Sequence, residues 1–460
     1  MKWDKLLSRS RLSKTPSLNS NAFSQTEFES DIQRIIFSSA FRRLSKKTQV
    51  HPLIANDNVH TRLTHSLEVS QVGKILGNTL GSKLDSQQKL PAGYFPSDLG
   101  SIVEAACLAH DLGNPPFGHA GEEAMRHWFE SNGPLIFGSL TKDHKHDLLT
   151  FEGNAQGFRK LTQTENHVFQ GGLRLTYATL GAYMKYPWTS EKKHPKNKFS
   201  VFISESKILN DVATELGLIK KNAYEWARHP LAYLVEAADD ICYYILDLED
   251  AVELKIISFE EASNMLLEVF DDDEREKMKK SFIGNEYRTN LSRIRGHVFE
   301  KVIAGAIDGF MKSYDSIMTG KLEGTVFTAL DEKNSAKKLM KKLAENSAKI
   351  YKDENKVEIE LGCYATFETL LSTFCNAAIE NSKYILNTKG EHSLGWKTSL
   401  VLKMFGAHAP NNSNAPENTT WSEYQCLRRA IDYVSGMTDN YAVNVASQIQ
   451  GNASSNSHRY

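Results

Sequence analysis

Apolar residues return every three or four positions along most of the chain, the spacing that gathers them on one helical face. In 27–45, Ile32, Ile35, Ile36, Phe41 and Leu44 form such a face, with Arg34, Arg42 and Arg43 off it. Segment 64–84 repeats the pattern through Leu67, Val72, Ile75, Leu76 and Leu80, and 97–112 through Leu99, Ile102, Val103, Ala106 and Cys107. The latter must stop before Pro115-Pro116, because proline lacks an amide proton and restricts the residue ahead of it. A further helix is expected from near Gly118 to Asn132. In 230–253, Pro230 suits a first helical position, and Leu231, Leu234, Val235, Ala238, Ile241, Ile245 and Leu248 carry the stripe. Segments 259–283, 289–318, 334–351, 363–387 and 421–450 also read as helix. Strand-like alternation is confined to the short run Val357-Glu358-Ile359-Glu360-Leu361. The expected class is mainly α.

Punctuation marks a polar leader (1–24) and a disordered tail (451–460) around a helical body. A basic loop with two prolines occupies 186–200, and an Asn- and Pro-rich loop 406–420. Lys+Arg 55 against Asp+Glu 56 leaves a net charge of −1, which excludes a globally basic nucleic-acid coat but not a local basic patch. The five cysteines include no C-x-x-C pair and read as buried thiols of a reducing compartment. No secretory signal pattern and no apolar run of membrane-spanning length is present, so a cytoplasmic protein is expected.

The sharpest chemical feature is Ala109-His110-Asp111-Leu112-Gly113. Adjacent residues on a helix point about 100° apart, so both can ligate one ion only near a helix end, where Gly113 and the prolines lie. His65 stands on the polar flank of the preceding helix, and Asp239-Asp240 interrupt an otherwise apolar one. Buried carboxylates are costly unless paired or bound to a cation. Two imidazoles and two carboxylates suit a hard or borderline divalent ion with positions left for water or phosphate oxygens. The plainer alternative makes His65 a helix-to-helix hydrogen bond and Asp239 a surface residue.

His119 and Glu122 are three apart and share a helical face, as a general acid or base and its orienting carboxylate would; an N-terminal polar pair is the plain alternative. Tyr243 and Asp247 follow Asp239 by four and eight residues, on one face, where they could bond a sugar or serve as core tyrosine and surface aspartate. Walker, zincin, nucleophile-elbow and paired C-x-x-C patterns are absent.

Taken together, RIIFSSAFRRLSKKTQV, TRLTHSLEV, AHDLGNPPFGHAGE, FEGNAQ, EAADDICYYILDLEDAVE and DYVSGMTDNYA resemble the HD-domain deoxynucleoside triphosphate triphosphohydrolases, the dGTPase family. The blocks run in family order from Arg34 to Ala442. The resemblance implies an HD-domain core over 25–255 and a region, 256–450, that contributes to substrate site and oligomer contacts. It implies a divalent metal (Mg2+ or Mn2+, or another transition metal) on His65, His110, Asp111 and Asp239, with Asp239 rather than Asp240 at the ligand position. His119, supported by Glu122, would work beside the α-phosphate, with Asn154 on the phosphate side and Lys185-Tyr186 near the phosphates. Gln49 and Val50 are similar to positions beside the sugar and base. Tyr243 and Asp247 match residues facing the deoxyribose, and Tyr351 and Glu360 correspond to base-side positions.

The implied reaction converts a dNTP, dGTP foremost, and water to deoxynucleoside and triphosphate, with Lys185 and Arg43 as charge partners. The family further implies a homo-oligomer, often a hexamer, and single-stranded DNA as an effector. Some relatives bring arginines to the substrate from before the last helix; here 361–427 has none, and lysine cannot reproduce arginine's fork. The rival readings are an HD phosphohydrolase of nucleoside monophosphates or cyclic nucleotides, and a nucleic-acid-responsive regulatory assembly.

Overall fold

A computed structural model describes residues 1–13, 25–47, 49, 60–138, 140–165, 171–192, 194–284, 286–350, 354–386, 393–406, 409–410, 422 and onward to 452. Among them the architecture is all-helical, with isolated bridges and no strand ladder. None of these helices is long and apolar enough to cross a membrane.

The centre is a pair of helices, Arg62–Ser86 and Pro96–Ala109, packed along their length. Gly73, Gly77 and Gly81 recur every four residues on the first helix and lie against the second. A Cβ on Gly77 would stand 2.6 Å from Leu99 O, and one on Gly73 2.5 Å from Cys107 Sγ. Glycine is needed there because the helix backbones approach too closely for any side chain. Ala232–Glu253 lies against both helices. Gly77→Ala is expected to lower stability by about 1–3 kcal/mol through overpacking, read as a shifted denaturant midpoint. An unchanged midpoint would show that the pair can spread without cost.

Two apolar cores form. One joins Trp3, Leu6 and Leu7 to the central helices and to residues of 259–343; the other joins the His119–Ile136 helix to the helices Glu354–Leu386, Glu423–Ser435 and Asp439–Ile449. The leader is thus anchored at its start, where Arg11 also pairs with Asp31 at 2.6 Å and Glu27 at 2.7 Å.

Several expectations change in detail. The 27–45 helix divides into Glu27–Ile36 and Ser39–Arg43 because Ser38 caps a new N-terminus. The 421–450 helix divides at Gly436. The expected strand 357–361 is instead part of the helix Glu354–Leu386. Its five-residue alternation is outweighed by Cys363, Phe367, Leu370, Leu371 and Phe374, buried at helical spacing. Short helices at Lys142–Leu149, Gly153–Arg159, Tyr177–Tyr183, Ser206–Glu215 and Trp396–Phe405 were not foreshadowed by periodicity. All five cysteines are buried and unbridged.

Candidate active site and metal centre

Three helices deliver one residue each to a common point. Thr61 caps Arg62–Ser86, and His65 follows within the first turn, 1% exposed. His110 closes Pro96–Ala109, and Asp239 lies two turns into Ala232–Glu253. Asp239 Oδ1 is 3.3 Å from His65 Nε2 and 3.5 Å from His110 Nε2. One donor atom from each of the three residues falls within 4.8 Å of the others. His110 Nδ1 is 2.7 Å from Cys107 O; a carbonyl only accepts, so Nδ1 carries the proton and Nε2 turns its lone pair to the cluster. This donor set fits a divalent cation by number, burial and tautomer. Asp240 is not part of this group.

Asp111 stands beside it, with Oδ1 3.5 Å from His110 Nε2. Arg62 Nη1 donates to its Oδ2 at 2.6 Å, and Asn114 donates to Oδ1. Burial alone would raise the Asp111 pKa, but Arg62, then His110 and His65, outweigh it and bring it down to about 2. Asp239 is likewise held below the usual carboxylate range against burial, chiefly by His110 and by the hydrogen bond with His65. Both carboxylates are therefore anionic and ready for a cation.

After the prolines the backbone turns through Phe117 (φ +62°) and Gly118 (φ +59°), the left-handed region that costs a bulky residue energy. Asp439 accepts the Phe117 amide at 3.0 Å and helps hold this turn. It launches the helix His119–Ile136 with His119 83% exposed at its start. His119 Nδ1 is 3.3 Å from Glu122 Oε2, and Glu122 Oε1 accepts from Gly153 N at 2.7 Å. Burial would raise the Glu122 pKa; the His119 hydrogen bond and the Lys198 charge bring it down to about 2. Gly113 lets the FEGNAQ helix approach, since a Cβ there would stand 1.8 Å from Gly153 O.

These groups open onto a cavity of about 440 Å³. Gln49, His110, Asp111, His119, Glu122, Asn154, Lys185, Tyr186, Asp239 and Tyr243 all line it. Gln49 Oε1 is buried without a hydrogen-bond partner among the described residues, as is Arg62 Nε. Unmet polar atoms beside a polar cavity suit a ligand or ordered water. Lys185 Nζ lies 3.3 Å from Glu236 Oε1, and Asn154 donates to Glu152 Oε1 at 2.9 Å. His65 sits behind the cavity wall. Asp247 is buried on the Asp239 helix and is not among the residues lining the cavity. Val50 and Tyr351 lie outside the described residues; Glu360 belongs to the helix Glu354–Leu386, and its side chain is outside them too.

One expected charge partner is corrected. Arg43 faces a different, larger cavity of about 1150 Å³ and pairs with Glu165 at 3.2 Å. The cavity beside the cluster takes its cations from Arg62, Lys185 and Lys198. Arg62 stands one turn before His65 in TRLTHS, and that i, i+3 spacing is the signal for it in the sequence. Lys198 belongs to the basic loop 186–200, where Trp188 and Phe199 were the sign of a packed rather than solvated segment. Arg428, just past the arginine-free stretch, is buried over Phe202 and donates to Gln156.

The HD-domain family profile matches residues 62–153, the stretch that carries His65, His110 and Asp111. A deoxyguanosinetriphosphate triphosphohydrolase-like protein of Pseudomonas aeruginosa is 42% identical over 461 residues, covering 99% of this chain and all of that protein. Like-named proteins of Synechocystis and Listeria innocua are 35% and 34% identical, each over 98% of this chain and 99% and 100% of their own lengths.

Proposed function

Because the chain belongs to the HD-domain family of deoxyguanosinetriphosphate triphosphohydrolase-like phosphohydrolases, we propose that it cleaves dNTPs, dGTP foremost, to deoxynucleoside and triphosphate in the cytoplasm. The observation that carries this is the His65–His110–Asp239 cluster opening onto a cavity whose wall holds Arg62, Lys185 and Lys198.

In this proposal His65, His110, Asp111 and Asp239 hold a divalent ion, Mg2+ or Mn2+. When bound, such an ion neutralises phosphate oxygens and acidifies a water ligand. Water adds to the α-phosphorus as the bond to the sugar O5′ breaks. The water's proton leaves with solvent or a base, and O5′ takes a proton, so that deoxynucleoside and triphosphate are released. His119 is placed to give that proton, and buried Glu122 orients its imidazole through Nδ1. Arg62, Lys185 and Lys198 spread positive charge along the phosphates, and Asn154 bonds them. Gln49 offers its unmet Oε1 to the sugar side. A full base pocket involves Val50, Tyr351 and Glu360, and Tyr243 faces the deoxyribose with Asp247 one turn further along the same helix.

Tyr243 is assigned to the C2′ edge, where its ring leaves no room for a hydroxyl. Tyr243→Ala should relax the dGTP-over-GTP ratio of kcat/KM by roughly tenfold or more while metal content stays unchanged. An unaltered ratio would remove Tyr243 from the sugar side.

The chain is further proposed to act as a homo-oligomer, a hexamer, with single-stranded DNA as an effector. The larger cavity supports the effector: Arg34, Arg42, Arg43, Lys46, Lys160 and Arg429 line it against Glu165 and Asp432. Phosphate contacts there would be salt-sensitive. Assaying the four dNTPs separately with Mg2+ and Mn2+, with and without single-stranded DNA, tests the whole reading. Triphosphate release supports it. Orthophosphate release from nucleoside monophosphates, with dNTPs untouched, would favour the rival HD phosphohydrolase, and turnover indifferent to DNA would remove the effector.

A further inference from the structure

Two lysines are buried behind the turn that carries Asp111, and neither lines the catalytic cavity. Lys47, 3% exposed, follows the helical turn Leu44–Lys46; Lys160, 4% exposed, follows Gly153–Arg159. Lys160 Nζ donates to Leu112 O at 2.8 Å. Lys47 Nζ donates to Asn114 O at 2.5 Å and to Ser435 O at 3.0 Å. Carbonyls at and beyond a helix end have no partner within the helix. Here the two carbonyls flanking Gly113 are met from behind by ammonium groups.

The consequence falls on Asp111. It precedes Leu112 directly, and Asn114, whose carbonyl Lys47 holds, donates its own side-chain amide to Asp111 Oδ1. Fixing these two carbonyls fixes the direction in which Asp111 and Asn114 face the cavity. Lys47 also reaches Ser435, the last residue of Glu423–Ser435, so the turn is tied to the C-terminal helices. Burial pushes the Lys160 ammonium down to about 7 and that of Lys47 well below its usual range. Burying an ammonium is costly, whereas a methionine of similar length would fill the same space cheaply. A merely space-filling role would not require a hydrogen-bond donor at the side chain's tip.

We propose that Lys47 and Lys160 are positioning residues of the phosphohydrolase site, holding the Asp111 turn by its backbone and coupling it to the C-terminal helices. Neither touches substrate or reacting atoms. The inference rests on the metal-dependent reading of the site, and its test is separable from the identity of the substrate.

The test uses the full chain with Lys47→Met, Lys160→Met, Lys47→Arg and Lys160→Arg, and exposed Lys83→Met, which lines neither cavity, as control. Partners that orient a metal ligand typically contribute about 10–100-fold in affinity or activity. Each Met variant should unfold cooperatively yet bind Mn2+ about tenfold more weakly. The kcat for dGTP should fall at least about tenfold with KM little changed. In metal-free protein, amide exchange across 110–118 should quicken. Raising Mn2+ should recover part of the turnover, at least one Arg variant should restore part of it, and Lys83→Met should match wild type. Wild-type Mn2+ affinity and exchange in folded Met variants would overturn the proposal. So would losses that follow thermal stability alone and vanish on cooling. If Lys47→Met fails to fold, Lys160→Met and Lys47→Arg decide on the same readouts. Wild-type protein that binds Mn2+ but leaves dGTP intact would overturn the substrate reading, while Mn2+ affinity and amide exchange still judge the lysines.

Discussion

His119→Ala is expected to keep its metal and bind dGTP, yet turn over at least about a hundredfold more slowly, because a positioned acid or base contributes roughly 10²–10⁴ in rate. His119 lies beyond the two prolines, at the start of its own helix, and is not among the three residues that converge on the metal position. Its ring is anchored at one nitrogen by Glu122 and is otherwise open to the cavity. Glu122 in turn is buried, bonded to the Gly153 amide and approached by Lys198, and with a pKa of about 2 it remains a carboxylate through any working pH. Glu122→Gln should therefore slow the same step by less than His119→Ala, since the imidazole survives and only its orientation suffers. Single-turnover rates with metal analysis read both variants. Near-normal turnover in His119→Ala removes it from the mechanism, and metal loss in that variant makes it a ligand.

Asp239→Ala is expected to lose metal and activity together. Asp239 Oδ1 approaches both imidazoles of the cluster, so its removal leaves them without their shared anion. Residues that only orient a ligand contribute about 10–100-fold, so a direct ligand should contribute at the top of that range or beyond. His65→Ala, His110→Ala and Asp111→Ala should follow the same course. Asp111 differs in one respect: Arg62 already neutralises it, so losing it also leaves a buried guanidinium unpaired, and a stability loss should accompany the metal loss. Elemental analysis beside dGTP turnover distinguishes these cases. Full metal occupancy in Asp239→Ala would sink the assignment and point to Asp240.

The linear pattern was sufficient for the parts of this protein that depend on neighbours in sequence. Helical periodicity is a local property, and it marked Arg62–Ser86, Pro96–Ala109 and Ala232–Glu253, the three helices that bear His65, His110 and Asp239. The double proline marked the break that separates His110 from His119, and the i, i+3 spacing marked the His119–Glu122 pair. Periodicity failed where helices are shorter than the window that reveals it, as at Gly153–Arg159 and Tyr177–Tyr183. It also misled at 357–361, where five alternating residues belong to a 33-residue helix.

What tertiary structure alone decided is which distant groups meet. Nothing in the local pattern says that Gly73 and Gly77 press against Cys107 and Leu99, yet that contact brings His65 beside His110. Charge in sequence does not tell direction either: Arg43 and Lys47 are four residues apart, and one faces a cavity of its own while the other is buried under the Asp111 turn. Arg62 and Lys198 reach the catalytic cavity because folding places a capped helix and a packed loop at its rim. Hydrophobic periodicity is written along a chain because each residue carries its own share of it. The pairing of a buried cation with a carbonyl 67 residues away exists only once the backbone has closed around both.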